Sequence, residues 1–166
     1  MDIIVHDLSG DIWLELFDGE KNNVKVISDN GKISNCIGCF GCWIKTPGKC
    51  VLKDDYQNLG ELLSKCNRLV IVSQCFYGSY SPFIRNILDR SISYSLPYFT
   101  TKNGETHHKN RYDNKIDLSV HFYGDDITQA EQNTARELVS ANSININASK
   151  SEVFFYKDVQ AIKGVI

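Results

Sequence analysis

The sequence lacks the features that would assign it to a nucleic-acid-binding or membrane class. It has no excess of charge of one sign, because 18 Lys and Arg residues stand against 20 Asp and Glu residues, for a formal net charge of -2. We therefore expect no basic field able to hold nucleic acid phosphates. It also has no apolar run near the ~20 residues that a membrane-spanning helix requires. Binding to nucleic acid or membrane is thus not expected.

The amino terminus also lacks the marks of a secretory leader. The apolar residues Ile3, Ile4 and Val5 stand almost at the start, without a basic stretch before them or a long apolar run after them. No repeat, linker or low-complexity tract interrupts the chain, and its 42% hydrophobic and 23% charged residues are close to the globular average. We expect one cytoplasmic globular domain over residues 1–166.

The sequence does contain an alternation of short apolar runs and amphipathic segments. The apolar runs, predicted to be strands, are residues 2–6, 24–27, 69–72, 116–122 and 153–156. Strands that alternate with helices are typical of a parallel sheet covered on both faces. For five strands we predict an α/β fold: a flavodoxin-like, doubly wound parallel sheet of order 2-1-3-4-5 in three α/β/α layers.

Capping signals place four helices between these strands. The predicted helix starts are Ser9, Asp54, Pro82 and Thr128. A capping-box pattern begins at Thr128, while Gly19 is expected to end the first helix and Lys65 the second. We interpret Asp54 as a helix cap with Asp55 in the first turn, rather than as a pair of catalytic carboxylates.

Residues 97–115 show neither pattern and are predicted to form a long irregular loop, which in a compact domain is usually functional or mobile. His107 and His108 within it are expected to have no catalytic or metal-binding role, whereas Arg111 could pair with an anionic group of a cofactor. A monomer would expose three aromatic residues near its start: Tyr94, Tyr98 and Phe99. We therefore expect a homodimer or homotetramer.

The loop after the central strand is a candidate ligand site. In sheets of the predicted order, ligands bind beyond the carboxyl ends of the strands, at the switch between strands 1 and 3, where residues 6–11, 73–81 and 121–126 would lie. Residues 73–81 offer aromatic faces, hydroxyls and a glycine, which suit a flat heteroaromatic ligand; an aromatic surface loop is the alternative. Residues 35–50 follow strand 2, so we expect them on the same rim, next to that ligand.

That segment holds four of the six cysteines within fifteen residues: Cys36, Cys39, Cys42 and Cys50. In a reducing compartment such clusters more often indicate metal or redox chemistry than disulfides. Thiolates at three-residue steps can wrap an iron–sulfur cluster, and Gly38 and Gly41 would let the backbone approach its sulfurs. Zinc fits less well, because its structural sites usually have a longer spacer. The alternative is a tight turn of small buried residues, with at most one redox-active thiol.

Two segments together resemble a known family. Residues Cys36–Asp55 resemble the cysteine-motif segment of the NADPH-dependent FMN reductase and iron–sulfur flavoprotein family, and Phe76–Arg90 resemble its flavin-ring loop and the following helix. The two segments occur in the order that this family shows, and the resemblance covers roughly residues 30–160. It implies a flavodoxin-like fold, FMN, a homo-oligomer and electron transfer.

The resemblance also implies the residues that hold each cofactor. The implied flavin-binding residues are Ser73, Gln74, Cys75, Phe76, Tyr77, Gly78, Ser79, Tyr123 and Gly124. The implied ligands of a [4Fe–4S] cluster beside the flavin are Cys36, Cys39, Cys42 and Cys50.

The chain departs from the family at the first loop. The family has a longer loop there, rich in Ser, Asn, Gly and Thr and with a basic residue. Here Asp7 and Asp11 would repel an FMN phosphate, although Ser9 and Gly10 at the helix start could still hold one. A second departure is Gln74, where the family usually has proline.

The function predicted is that of an FMN-dependent oxidoreductase or electron-transfer flavoprotein, of the NAD(P)H-dependent FMN reductase kind, with a [4Fe–4S] cluster next to the flavin if the cysteines hold one. NAD(P)H or another reduced carrier is the expected electron donor, and a small molecule or a redox protein is the expected partner. The alternative is a flavodoxin-fold protein that has lost FMN and acts in binding or interaction.

Overall fold

Strands and helices alternate along the chain in the computed structural model, which describes residues 1–17 and 23–165. Their bounds are β1 (Asp2–His6), α1 (Gly10–Leu16), β2 (Val24–Ser28), α2 (Gly41–Ile44), α3 (Leu59–Ser64), β3 (Arg68–Gln74), α4 (Pro82–Arg90), β4 (Ser95–Lys102), β5 (Glu105–Asn110), β6 (Ile116–Tyr123), α5 (Gln129–Asn145) and β7 (Ala148–Tyr156). Short 3₁₀ turns cover Ser91–Tyr94 and Val159–Ile162. The helix end predicted at Gly19 lies outside the described residues.

Five strands form one parallel sheet of order β2-β1-β3-β6-β7. When the β4–β5 pair is left out, this is the predicted order 2-1-3-4-5, which is confirmed. The central strand β3 has buried residues from Leu69 to Ser73 because both of its faces are covered. None of the helices in the described ranges is long and apolar enough to span a membrane.

Helices cover both faces of the sheet, as the three-layer prediction requires. On one face α3, α4 and α5 pack through Leu63, Ile84 and Val139 against the sheet. On the other face α1 and the Val159–Ile162 turn pack through Leu16 and Ile162. The carboxyl ends of the strands, where a ligand site is predicted, therefore lie between two packed layers.

Three predicted helix starts are confirmed, two of them with side-chain capping bonds. Ser9 Oγ accepts a hydrogen bond from the Ile12 N–H at 3.4 Å at the start of α1. Pro82 occupies the first turn of α4. Thr128 and Glu131 form a complete capping box at the start of α5, with both reciprocal bonds present.

The predicted helix from Asp54 is wrong, because α3 begins only at Leu59. Asp54 does not cap a helix: both of its carboxylate oxygens accept bonds from the Arg90 guanidinium, each at 2.8 Å. The backbone N–H groups of Ser34 and Tyr56 also donate to it, at 3.0 Å each. The Arg90 side chain is fully buried and that of Asp54 is 9% exposed. These bonds hold the pKa of Asp54 far below its usual range, the Arg90 hydrogen bond contributing most.

The irregular loop predicted over residues 97–115 is also wrong. Most of it is an antiparallel hairpin in which Phe99 pairs with His108 and Lys102 with Glu105. Asn103 and Gly104 form its two-residue turn, with φ values of 52° and 83°. An Asn-Gly pair favours this type of turn, since both central residues need positive φ. The residues on either side of the turn are polar and do not alternate with hydrophobic residues, so the sequence pattern did not predict these strands.

We expect Asp54→Asn to lower the free energy of unfolding by about 3 kcal/mol, because it leaves a fully buried guanidinium without its counter-charge. Asp55→Asn is the matched control: Asp55 is exposed and accepts a bond from the Asn30 side chain, so its loss should cost less than about 1 kcal/mol. Urea denaturation followed by tryptophan fluorescence measures both variants. Equal costs for the two substitutions would show that the buried pair does not stabilise the fold.

Candidate functional site

Asp7 joins the ends of three neighbouring strands at the carboxyl edge of the sheet. It follows β1, and its two carboxylate oxygens accept bonds from the Gln74 N–H at the end of β3, at 2.8 Å, and from the Tyr123 hydroxyl at the end of β6, at 2.9 Å. Burial raises the pKa of Tyr123 well above its usual range, and the Asp7 charge adds to this effect. The phenol is therefore a protonated donor, and the carboxylate lies at the switch point between β1 and β3.

The loop between β1 and α1 is filled by its own side chains. His6 stacks on Trp13 with ring centroids 4.1 Å apart, and Trp13 stacks on Phe17 at 4.3 Å. His6 Nδ1 accepts a bond from the Leu8 N–H, and Leu8 is buried. Burial lowers the pKa of His6 to about 4, so that its imidazole is neutral at pH 7.

Ser9 and Gly10, the residues expected to hold a phosphate, stand exposed at the start of α1. The Ser9 hydroxyl is already used to cap the Ile12 N–H. The helix behind it has only seven residues, and residues 6–11 contain no Lys or Arg. This loop therefore lacks the positive charge that supports phosphate binding, and its helix is short.

The predicted flavin-ring loop is a tight turn that exposes two aromatic side chains. Phe76 and Ser79 exchange two backbone bonds of 2.8 Å, with Tyr77 and Gly78 at positive φ between them. A Cβ on Gly78 would lie 2.8 Å from the Glu131 carbonyl oxygen, so that only glycine allows the loop to pack on α5. Tyr77 is 90% exposed and Phe76 is 38% exposed.

The remaining predicted flavin residues lie around this turn. The Ser73 hydroxyl is buried and accepts a bond from the Ser81 N–H at 2.9 Å. The Cys75 N–H donates to the Tyr123 carbonyl oxygen at 2.9 Å, and Gly124 follows at the end of β6. Burial raises the pKa of Cys75, so its thiol is neutral at pH 7. The structure thus brings all these residues to one edge, as predicted.

Tested against FMN, this edge fits the ring and not the phosphate. The faces of Phe76 and Tyr77 are open to a flat heteroaromatic group. At the switch point, however, the Gln74 N–H and the Tyr123 hydroxyl already donate to a carboxylate, that of Asp7.

The cysteine segment lies elsewhere, and its predicted position on the carboxyl rim is wrong. The Ser34 carbonyl oxygen accepts a 2.7 Å bond from Arg90, the last residue of α4, and Asn35 accepts one from Asn86. The segment therefore lies beside the second half of α4, and its cysteine cavity adjoins the end of α5 at the amino edge of the sheet. There the Trp43 indole N–H donates to the Ser95 carbonyl oxygen at 3.1 Å.

The flavin-ring loop and the cysteine cavity contact helix α5 near its opposite ends. Gly78 of the flavin-ring loop packs on Glu131 and Thr134 near the start of α5, whereas the cysteines share a cavity with Asn142 and Asn145 near its end. Glu131 and Asn142 are roughly 16 Å apart along the helix axis at 1.5 Å per residue. Within one chain the predicted neighbours are therefore separated.

All four cysteines line one cavity of about 530 Å³, together with Trp43 and Arg90. In the described part of the chain the four are free thiols, Cys36 and Cys39 exposed, Cys42 and Cys50 half-buried. Burial raises the pKa of Cys42, and the charges of the other three thiols contribute. Among the described residues no three Cys, His, Asp or Glu side chains are already set as ligands of one metal ion. The thiols share a cavity and would have to close around a metal.

Two buried nitrogen atoms of residues that line this cavity were not predicted from the sequence to belong to a site. Within the described residues Arg90 Nε is buried without an acceptor, although the Cys50 thiol lies close enough to interact with the guanidinium. His108 Nδ1 is likewise buried without a partner there, and the ring lies 4.8 Å from that of Trp43. The histidine expected to have no role thus lines the cysteine cavity. Arg111, by contrast, donates to the Ser93 carbonyl oxygen.

No family model matches the chain. A curated iron-sulfur flavoprotein from Archaeoglobus fulgidus is 30% identical over 70 residues, which are 42% of this chain and 31% of that protein. The chain therefore spans about a third of the length of the curated relative that it matches. The match confirms the predicted resemblance to iron–sulfur flavoproteins.

Solved structures with the same architecture include two azoreductases. The azoreductase AzrA superposes with a TM-score of 0.54 and 10% identity over 96% of this chain and 88% of its own. An FMN-dependent NADH-azoreductase from Bacillus anthracis, solved with FMN, gives a TM-score of 0.53 and 9% identity over 93% and 86%. The Trp repressor binding protein from Bacillus subtilis gives a TM-score of 0.51 and 11% identity over 98% and 90%. This chain thus has the flavodoxin-like fold that its sequence predicted.

Proposed function

We propose that this chain is a flavin-dependent oxidoreductase of the NAD(P)H-dependent FMN reductase kind, or an electron-transfer flavoprotein of the same fold. The observation that carries the proposal is the pair of exposed aromatic residues, Phe76 and Tyr77, at the carboxyl edge of a flavodoxin-like sheet. The FMN-dependent NADH-azoreductase with the same fold supports FMN as the flavin and a nicotinamide as the electron donor. A small molecule or a redox protein would accept the electrons.

The chain's own residues bind and orient the ring. Bound FMN supplies the two-electron chemistry. Tyr77 and Phe76 provide the stacking surface, and the close packing of Gly78 on α5 holds their turn in place. The Ser73 hydroxyl, bonded to the Ser81 N–H, ties the base of the loop to the start of α4.

We expect Tyr77→Ala to raise the Kd for FMN about three- to tenfold, because an aromatic stacking contact contributes roughly 1 kcal/mol. Leu14→Ala is the control, since Leu14 is 71% exposed on α1 and lies outside both this turn and the proposed interface. Quenching of flavin fluorescence on titration gives both constants, and oxidation of NAD(P)H by the flavin-loaded protein tests the reaction. Failure of the unaltered chain to take up any flavin would leave the interaction-protein alternative in place.

We further propose that Cys36, Cys39, Cys42 and Cys50 bind a [4Fe–4S] cluster. The four thiols border one cavity, and the soft thiolate ligands suit iron–sulfur chemistry. The buried Arg90 Nε–H near Cys50 would donate a hydrogen bond to a cluster sulfur or to a ligand sulfur. Hydrogen bonds of this kind alter the reduction potential of metal centres. Lys45 and Lys49 in the same segment would offset part of the negative charge of the cluster.

Anaerobic reconstitution with iron and sulfide tests this assignment. The unaltered chain should take up about four irons per chain and show a paramagnetic signal on reduction. Cys42→Ser should lose most of both, because a ligand is missing. Cys75→Ser, which alters a half-buried thiol outside the cavity, should behave like the unaltered chain. Equal iron in all three proteins would assign the four cysteines a structural role only.

We propose, finally, that the chain forms a homodimer or homotetramer through the surface around the cysteine cavity. Five large apolar residues stand exposed there: Ile37, Phe40, Ile44, Tyr98 and Phe99, between 58% and 77% exposed. The predicted exposure of Tyr94 is wrong, because this residue is buried in the core. The rings of Phe40, Trp43, His108 and Phe99 stack from the segment to the hairpin. Such a continuous apolar surface is typical of an interface.

Sedimentation at micromolar concentration should show two or four times the mass of one chain. Phe99→Glu should shift the protein toward the monomer, because it places a charge in the apolar surface. Leu14→Glu, at a residue 71% exposed on α1, should leave the assembly unchanged. A monomer for the unaltered chain would contradict the proposed assembly.

A further inference from the structure

We propose that Asp7 sets the flavin selectivity of the carboxyl edge: its carboxylate stands in the place of the flavin phosphate, so that the site binds flavin through the ring alone. The ligand class this implies is the unphosphorylated flavin nucleus, with riboflavin bound at least as tightly as FMN. The inference rests on the proposed function, in that it requires flavin to bind at this edge.

Asp7 already accepts bonds from two donors that an anion at this edge would use. In a sheet of this topology the anionic end of a ligand lies at the switch point, beyond the ends of β1 and β3. The Gln74 N–H and the Tyr123 hydroxyl point into this place, and both donate to Asp7, at 2.8 and 2.9 Å. A phosphate could have these donors only if Asp7 gave them up.

The negative charge of Asp7 also opposes a phosphate at this place. Asp7 forms no ion pair with a Lys or Arg in the described part of the chain, and Asp11 stands four residues on, at the start of α1. Asp7 is only partly exposed, so solvent and salt screen it incompletely. A phosphate in the same place would meet a like charge at short range, with no cation among residues 6–11 to offset it.

Packed side chains fill the space beneath the loop. Leu8 is buried and Trp13 covers His6 with its ring parallel, at an interplanar angle of 2°. A phosphate could not lie deeper than Asp7 without displacing this packing. The ring end of the site, at Phe76 and Tyr77, has no such obstacle, because both side chains are exposed.

The bond also depends on the residue at position 74. Gln74 donates through its backbone N–H, which proline would not have. The two departures of this chain from its family, an acidic first loop and a glutamine for proline, therefore form the two ends of one hydrogen bond.

Titration of riboflavin and of FMN against the full chain tests the inference, with quenching of flavin fluorescence as the readout. The unaltered protein should give a Kd for riboflavin equal to or below that for FMN. Asp7→Ser and the near-isosteric Asp7→Asn should each shift the ratio toward FMN by about tenfold, because the like charge is gone. Asp11→Asn removes an exposed charge in the same loop region and should change the ratio less than about twofold.

The outcomes separate this inference from the proposed function. If the unaltered chain binds FMN tenfold more tightly than riboflavin, the role of Asp7 is overturned and flavin binding stands. If all the proteins are folded by circular dichroism and none takes up either flavin, both are overturned. Should Asp7→Ser fail to fold, Asp7→Asn and the ratio of the unaltered chain still decide.

Discussion

The buried pair of Arg90 and Asp54 determines where the cysteine segment lies. Arg90 ends α4, and its guanidinium binds Asp54 twice and the Ser34 carbonyl oxygen once, so it holds the chain on both sides of the four cysteines. A guanidinium without exposure needs such partners, because an unpaired buried charge is costly. Its Nε–H is buried without an acceptor among the described residues, and Arg90 lines the cavity of the thiols. One ion pair thus anchors the segment and places a buried donor beside that cavity.

Asp7 has the corresponding place at the opposite edge of the sheet. It ties β1 to β3 and β6 where parallel strands end and no ladder bonds continue. In most sheets of this topology that place serves a ligand, whereas here a side chain of the protein satisfies the donors. Asp7 thus stabilises the carboxyl edge of the sheet, and the turn that carries Tyr77 is exposed to solvent.

The sequence predicted the elements that depend on local patterns. Strand order followed from apolar runs that alternate with helices, and the helix starts at Ser9, Pro82 and Thr128 followed from residues within three positions of each start. The bonds that set the sites join distant residues, since Asp54 and Arg90 are 36 positions apart and Asp7 and Tyr123 are 116 apart. Local periodicity carries no information about such partners.

The position of the cysteine segment was missed for a related reason. Placing it on the carboxyl rim assumed that the chain stays where β2 ends. The residues between β2 and α2 form no regular element, and they contact the second half of α4 at Asn86 and Arg90. The consequence is functional. The turn at Gly78 and the cysteine cavity contact α5 at points roughly 16 Å apart along its axis, so a flavin and a cluster held by one chain would lie toward opposite ends of this helix. If the proposed assembly placed the cluster of one chain beside the flavin of another, electrons would pass between chains, and the proposed electron transfer would depend on the proposed assembly.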